Sequence, residues 1–111
     1  MQVSKDVEQK IHQLQLLEQN MQTFLAQKQT FQVQLVEIES ALSEIEKTDK
    51  VYKIVGSIMV SSGKEDLKKD LESKKEILQL RLKSVEKQED KIKEKASALQ
   101  EEVLGEMEKS K

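Results

Sequence analysis

Cysteine, proline and tryptophan are all missing from this chain, glycine occurs only three times, and aromatic residues make up 3% of it. Each absence excludes something. Without cysteine there is no disulfide and no thiolate metal site, which suits a reducing compartment. Without proline, and with so little glycine, almost nothing interrupts a helix. With so few aromatics, and with 36% charged against 36% hydrophobic residues, the 111 residues are poorly supplied for a globular core. An elongated fold follows.

No stretch approaches the ~18 apolar residues needed to cross a bilayer. The opening Met-Gln-Val-Ser-Lys-Asp lacks a basic region followed by an apolar run. The expectation is an unsecreted, cytoplasmic protein with no membrane partner. Nor does any sign of charge dominate: 19 basic and 21 acidic residues leave a net charge of −2. No overall field favours nucleic acid. Residues 1–50 carry five lysines against eight acids, residues 51–63 one lysine, and residues 64–111 thirteen of each sign. The basic runs Lys68-Lys69, Lys74-Lys75 and Lys91, Lys93, Lys95 alternate with acids and lack interleaved aromatics, as a solvated face does.

The chemistry of catalysis is equally thin. There is one histidine, His12, with no second histidine or cysteine to complete a metal site, so it is expected to be a solvated helix residue. Paired acids such as Glu101-Glu102, or Glu37 and Glu39, fit the exterior of a helix. Glycines 56, 63 and 105 form neither GxGxxG nor GxxxxGK[ST]. No catalytic residue, cofactor or metal is expected, and the chain is not expected to be an enzyme.

What is present is periodicity. Val3, Val7, Lys10, Leu14, Leu17, Met21, Phe24, Lys28, Phe31, Leu35, Ile38, Leu42 and Ile45 follow one another at alternating steps of four and three, and eleven of these thirteen are apolar. Such a seam, held this long, is the mark of a coiled coil. A second series runs through Leu71, Lys75, Leu78, Leu82, Val85, Glu89, Ile92, Ala96, Leu99, Val103 and Glu106, eight of eleven apolar. Leu67 and Met107 lie one position off it, so the seam should drift or fray towards each end. Neither arm is stable alone, so each must be buried against the other or against another chain. The predicted architecture is one unit of 111 residues: a first coiled-coil helix over 1–47, a β-hairpin over 51–60 and a second coiled-coil helix over 64–109. It is a mainly α, antiparallel two-helix coiled coil with a short β-hairpin at the bend.

The hairpin is read from Val51-Tyr52-Lys53-Ile54-Val55-Gly56-Ser57-Ile58-Met59-Val60. Five of these ten residues are β-branched, a Gly-Ser pair lies at the centre, and the strands are placed at about 51–55 and 58–60. Ser62 with Glu65 resembles a capping box that starts the second helix. Alternation puts Tyr52 and Ile54 on one face, Val51 and Val55 on the other with Lys53 between them, and makes Ile58, Met59 and Val60 similarly two-sided. A lone hairpin of this kind is marginal in water. It either packs as a hydrophobic loop on its own helices or pairs with equivalent hairpins of other subunits. The thin arms offer little surface for the first, which favours the second.

Among the charged seam positions are Lys10, Lys28, Lys75 and Glu89. Charge inside a heptad seam weakens pairing and can set register, and a hairpin centred near residue 56 allows a Lys28–Glu89 pair across the arms. The arm ends carry Val3, Val7 and Ile11 on the first helix and Val103, Leu104 and Met107 on the second. These residues either close the coiled coil or splay apart as apolar patches for a non-native client.

Taken together, the hairpin sequence, with its Tyr-Lys and Val-Gly, and the run Leu82-Lys83-Ser84-Val85-Glu86-Lys87-Gln88-Glu89 resemble the prefoldin family, in its beta-type class with a single two-stranded hairpin. The resemblance spans essentially the whole chain. It implies an ATP-independent chaperone that captures unfolded polypeptides and passes them to a group II chaperonin in the cytosol. It also implies a hexamer of two alpha-type and four beta-type subunits. Carried onto this chain, Val51, Tyr52, Ile54, Val55, Gly56, Ile58, Met59 and Val60 become the assembly surface. Val3, Val7, Ile11, Val103, Leu104 and Met107 become the client contacts. The composition would also suit an archaeal source. The competing reading is a coiled-coil spacer or tether that binds no client.

Overall fold

The computed structural model describes residues 4–109. In chain order these form α1 (Lys5–Glu46), β1 (Val51–Val55), β2 (Ile58–Ser62) and α2 (Lys64–Lys109). The helical stretches coincide with the two heptad series, and the strands with the β-branched segment between them.

Ser4 caps α1: its hydroxyl accepts from the Val7 N–H at 3.2 Å while its carbonyl accepts from the Glu8 N–H at 3.0 Å. Asp6 and Glu8 then place negative charge in the first turn, where the exposed N–H groups favour it. The helix tightens as it ends, with the Lys47 and Thr48 N–H groups reaching back only three residues to Glu44 and Ile45.

β1 and β2 make a two-stranded antiparallel sheet in which Val51 opposes Ser62, Tyr52 Ser61, Lys53 Val60, Ile54 Met59 and Val55 Ile58. The turn is the two residues Gly56 and Ser57. Gly56 has φ of +64° and is the sole residue with positive φ among those described, which matches a tight hairpin turn with glycine at its first central position. Opposed residues share a face, so Tyr52, Ile54, Met59 and Ser61 lie on one side and Val51, Lys53, Val55, Ile58, Val60 and Ser62 on the other.

Two details differ from the sequence reading. β2 runs to Ser62 rather than Val60, because Ser61 and Ser62 complete the rungs opposite Tyr52 and Val51. Ser62 is therefore held in the ladder, and the capping position passes to Gly63, whose carbonyl accepts the Leu67 N–H at 3.0 Å. Its partner three residues on is Asp66, whose carboxylate folds back so closely that a Cβ on Gly63 would lie 3.2 Å from Oδ2. The expected Ser62–Glu65 capping box is therefore not formed: the N-cap falls one residue later, on a glycine that has no side-chain oxygen to offer.

The chain forms two compact units, residues 4–28 with 84–109, and residues 29–83. In the first, Val7, Val85 and Val103 are buried, flanked by half-buried Leu14, Leu17, Met21, Phe24, Ile92, Ala96 and Leu99. In the second, Ile45, Val51 and Leu78 are buried, with Phe31, Leu35, Ile38, Leu42, Leu71 and Leu82 half-buried. Every described seam position is at least half-buried. The core is a single seam's width, because a residue between two helices is covered from one side only.

Candidate assembly and client-binding surfaces

Of the hairpin residues, Val51 alone is buried. Tyr52, Ile54, Val55, Ile58, Met59 and Val60 are 42–68% exposed, and they are divided between both faces of the sheet. Neither helix covers them. Water against both faces of so apolar a sheet is unfavourable, and each strand has an outer edge without a ladder partner among the described residues. Such a segment is suited to associate with strands of the same kind.

Of the residues expected to contact clients, Val7 and Val103 are buried and Ile11 is half-buried, while Leu104 and Met107 are exposed. Val3, the remaining residue of this set, lies outside the described residues. The seam is not sharply defined at the end of α2, where the Glu106 side chain is 34% exposed and Met107 38%. At the start of α2 it drifts, with Leu67 half-buried four residues before Leu71.

Each charged seam residue meets an opposite charge on the other helix. Lys28 Nζ lies 3.3 Å from Glu89 Oε1, and Glu89 is only 3% exposed. Lys75 Nζ lies 3.7 Å from Glu39 Oε1. Lys10 Nζ is surrounded by three carboxylates: Glu106 at 2.7 Å, Asp6 at 3.1 Å and Glu102 at 3.3 Å. Off the seam, Lys68 reaches Glu46 at 2.7 Å. The heptad pattern alone did not name the partners Glu39, Glu46 and Glu102. Their common signal is antiparallel register, since each lies about as far from the Gly56 turn as the lysine it meets.

These contacts make pairing depend on pH. The hydrogen bond from Lys68 holds the Glu46 carboxyl below its ordinary 4.5, and that to Glu46 raises the Lys68 ammonium above 10.5. At the α1 start, hydrogen bonds with Lys10 lower Asp6, and those with Glu106 and then Asp6 raise Lys10. A depressed carboxyl stabilises the fold above its unfolded pKa and loses that contribution as pH falls through the folded value. A raised ammonium does so below its unfolded pKa and loses it as pH rises through the folded value. The Tm advantage of the parent over Lys68→Gln is therefore expected to be present at pH 7 and to vanish on acidification below the Glu46 pKa. Paired melts by circular dichroism check this, and an advantage that persists at pH 2 would contradict it.

Among the described residues there is no helix long and apolar enough to cross a membrane, and no cluster of three metal-ligating side chains. His12 sits exposed on α1.

A long helix, a two-stranded hairpin and a second long helix, in that order, make a fold that a solved structure of similar sequence shares. Residues 8–110 match the family profile described as prefoldin subunit. The chain belongs to the prefoldin family. It is 39% identical over 93 residues to the prefoldin subunit beta of Archaeoglobus fulgidus, covering 81% of this chain and 80% of that one. With prefoldin subunit beta of Methanospirillum hungatei it shares 35% over 109 residues, covering 96% and 91%. The crystal structure of the prefoldin beta subunit from Thermococcus strain KS-1 superposes with a TM-score of 0.87 at 34% identity, covering 94% of each chain. Prefoldins are chaperone subunits and not enzymes.

Proposed function

We propose that this chain is the beta-type subunit of an ATP-independent prefoldin hexamer of two alpha-type and four beta-type chains, acting in the cytoplasm. The whole chain works as one unit: it holds unfolded polypeptides at the ends of its coiled coil, prevents their aggregation and passes them to a group II chaperonin. The observation that carries this reading is the hairpin, whose apolar side chains are exposed on both faces and call for other subunits. Tyr52, Ile54, Val55, Ile58, Met59 and Val60 make the contacts, Val51 anchors the hairpin to the helices, and Gly56 forms the turn.

Client binding is assigned to Val3, Val7, Ile11, Val103, Leu104 and Met107. Leu104 and Met107 are exposed and offer first contact, while Val7, Ile11 and Val103 become available as the helix ends part. Several such weak sites on one platform hold a large non-native chain by multivalency, each releasing readily, which requires no nucleotide.

The test is light scattering of a chemically denatured reporter enzyme diluted into the assembled complex without ATP. Suppression of aggregation is expected, and is expected to be lost when residues 1–11 and 103–111 are both removed. If suppression is unchanged by that trimming, the tips are not the client sites. If the correctly assembled complex never suppresses aggregation, the spacer reading replaces the chaperone one.

A further inference from the structure

Three of the apolar residues assigned to clients lie close in sequence to one seam lysine or to the carboxylates it meets. Lys10 occupies a seam position, where a leucine would ordinarily join the helices. Its ammonium instead gathers Asp6 from its own helix and Glu102 and Glu106 from α2, at 3.1, 3.3 and 2.7 Å. Buried Val7 lies one turn before Lys10 on α1 and half-buried Ile11 directly after it, while buried Val103 follows its partner Glu102 on α2. Separating the helix ends therefore breaks the two contacts to α2 and leaves Glu102 and Glu106 one turn apart with no cation between them.

We propose that Lys10 is a clasp that governs client capture, holding the helix ends together by charge and setting how readily Val7, Ile11 and Val103 are uncovered. The inference rests on the reading of the tips as client sites. Why a lysine suits this position follows from the contrast with leucine. A leucine would add a fully apolar rung and lock the seam. A cluster of ions open to water on one side is weaker, is screened by salt, and lets go without exposing a large apolar side chain of its own. In ensemble terms, capture scales with the fraction of tips that are open, so a residue that shifts this equilibrium shifts apparent affinity in proportion.

The experiment compares three versions of this chain in the assembled complex: Lys10→Glu, Lys10→Leu and Lys10→Glu combined with Glu106→Lys. Tip opening is read by hydrogen exchange at amides 7–14 and 99–106 and by binding of Nile red, a neutral dye insensitive to the change of charge. Capture is read as suppression of aggregation of a denatured reporter enzyme. Lys10→Glu places four carboxylates together, and is expected to speed tip exchange and strengthen capture by about fivefold, the size of a modest coupling between sites. Lys10→Leu is expected to slow exchange and weaken capture, and to abolish the rise in dye binding that salt produces in the parent. The charge-reversed double variant is expected to return towards the parent.

Unchanged exchange in both single variants would overturn the clasp. Altered exchange with unchanged capture would overturn its control of binding. In that second case, trimming of the tips separates the two ideas: capture lost on trimming leaves the tips as client sites without a gate, whereas capture retained on trimming removes the tips from client binding altogether.

Discussion

Replacing Ile54 and Met59 by aspartate is expected to leave a helical chain that no longer enters the larger complex. The two residues oppose each other on one face of the hairpin and are 68% and 65% exposed, so within the chain alone little contact is lost. In the assembly they are expected to be covered by neighbouring subunits. Removing one such apolar side chain costs roughly 1.5–3 kcal/mol of burial, and a carboxylate in its place adds a desolvation cost. Two substitutions thus weaken each contact by at least a hundredfold, since about 1.4 kcal/mol is tenfold. Sedimentation or native mass spectrometry reads the outcome, with circular dichroism as the check on folding. An intact complex containing Ile54→Asp and Met59→Asp would rule out the hairpin as the assembly surface.

The second large effect concerns the pair in the middle of the seam, where single and double substitutions are expected to act in opposite directions. Glu89 is buried and its cross-helix partner is Lys28. Lys28→Ala removes the ammonium and leaves a carboxylate inside the seam, at a cost of about 3 kcal/mol, the low end for breaking a buried pair because Lys28 keeps some access to water. Changing both residues to leucine replaces the ions by an apolar rung, and is expected to raise Tm by several degrees, since about 1 kcal/mol shifts a small domain by several degrees. A clear fall in Tm for the double variant would show that the pair stabilises the fold rather than tolerating its own desolvation. Register is what such a pair can offer in return: a leucine seam pairs nearly as well when slipped by a heptad, whereas Lys28 meets Glu89 in one alignment.

Most of the architecture was legible because a coiled coil is specified by local spacing. The residues from Val7 to Ile45 that recur at steps of four and three are all at least partly shielded from solvent in the structure, and the same holds from Leu71 to Glu106. The hairpin was equally open to reading, since β-branched residues around Gly56-Ser57 have few other uses in a chain this helical. What spacing does not determine is what lies opposite. The pairing of Lys10 with Glu102 and Glu106, or of Lys68 with Glu46, emerges only when two helices are brought together in register. The hairpin end was misjudged for a related reason: Ser61 and Ser62 have little preference for strand, and their place in β2 is imposed by Tyr52 and Val51 across the ladder. Burial at the helix ends has the same origin, because Val103 and Leu104 are adjacent and similar in character, and only the facing helix makes one buried and the other exposed.

That last contrast allows the most direct test of client binding at the tips. A photo-crosslinking residue is placed at Leu104 in one complex and at Leu80 in another, two leucines of α2 with nearly equal exposure, 61% and 68%. Each complex is illuminated with a denatured polypeptide in the absence of ATP. Crosslinks concentrated at position 104 and scarce at 80 are expected if the helix ends hold the client. Equal yields at both positions would mean that any exposed apolar group suffices, and would contradict a dedicated client-binding tip.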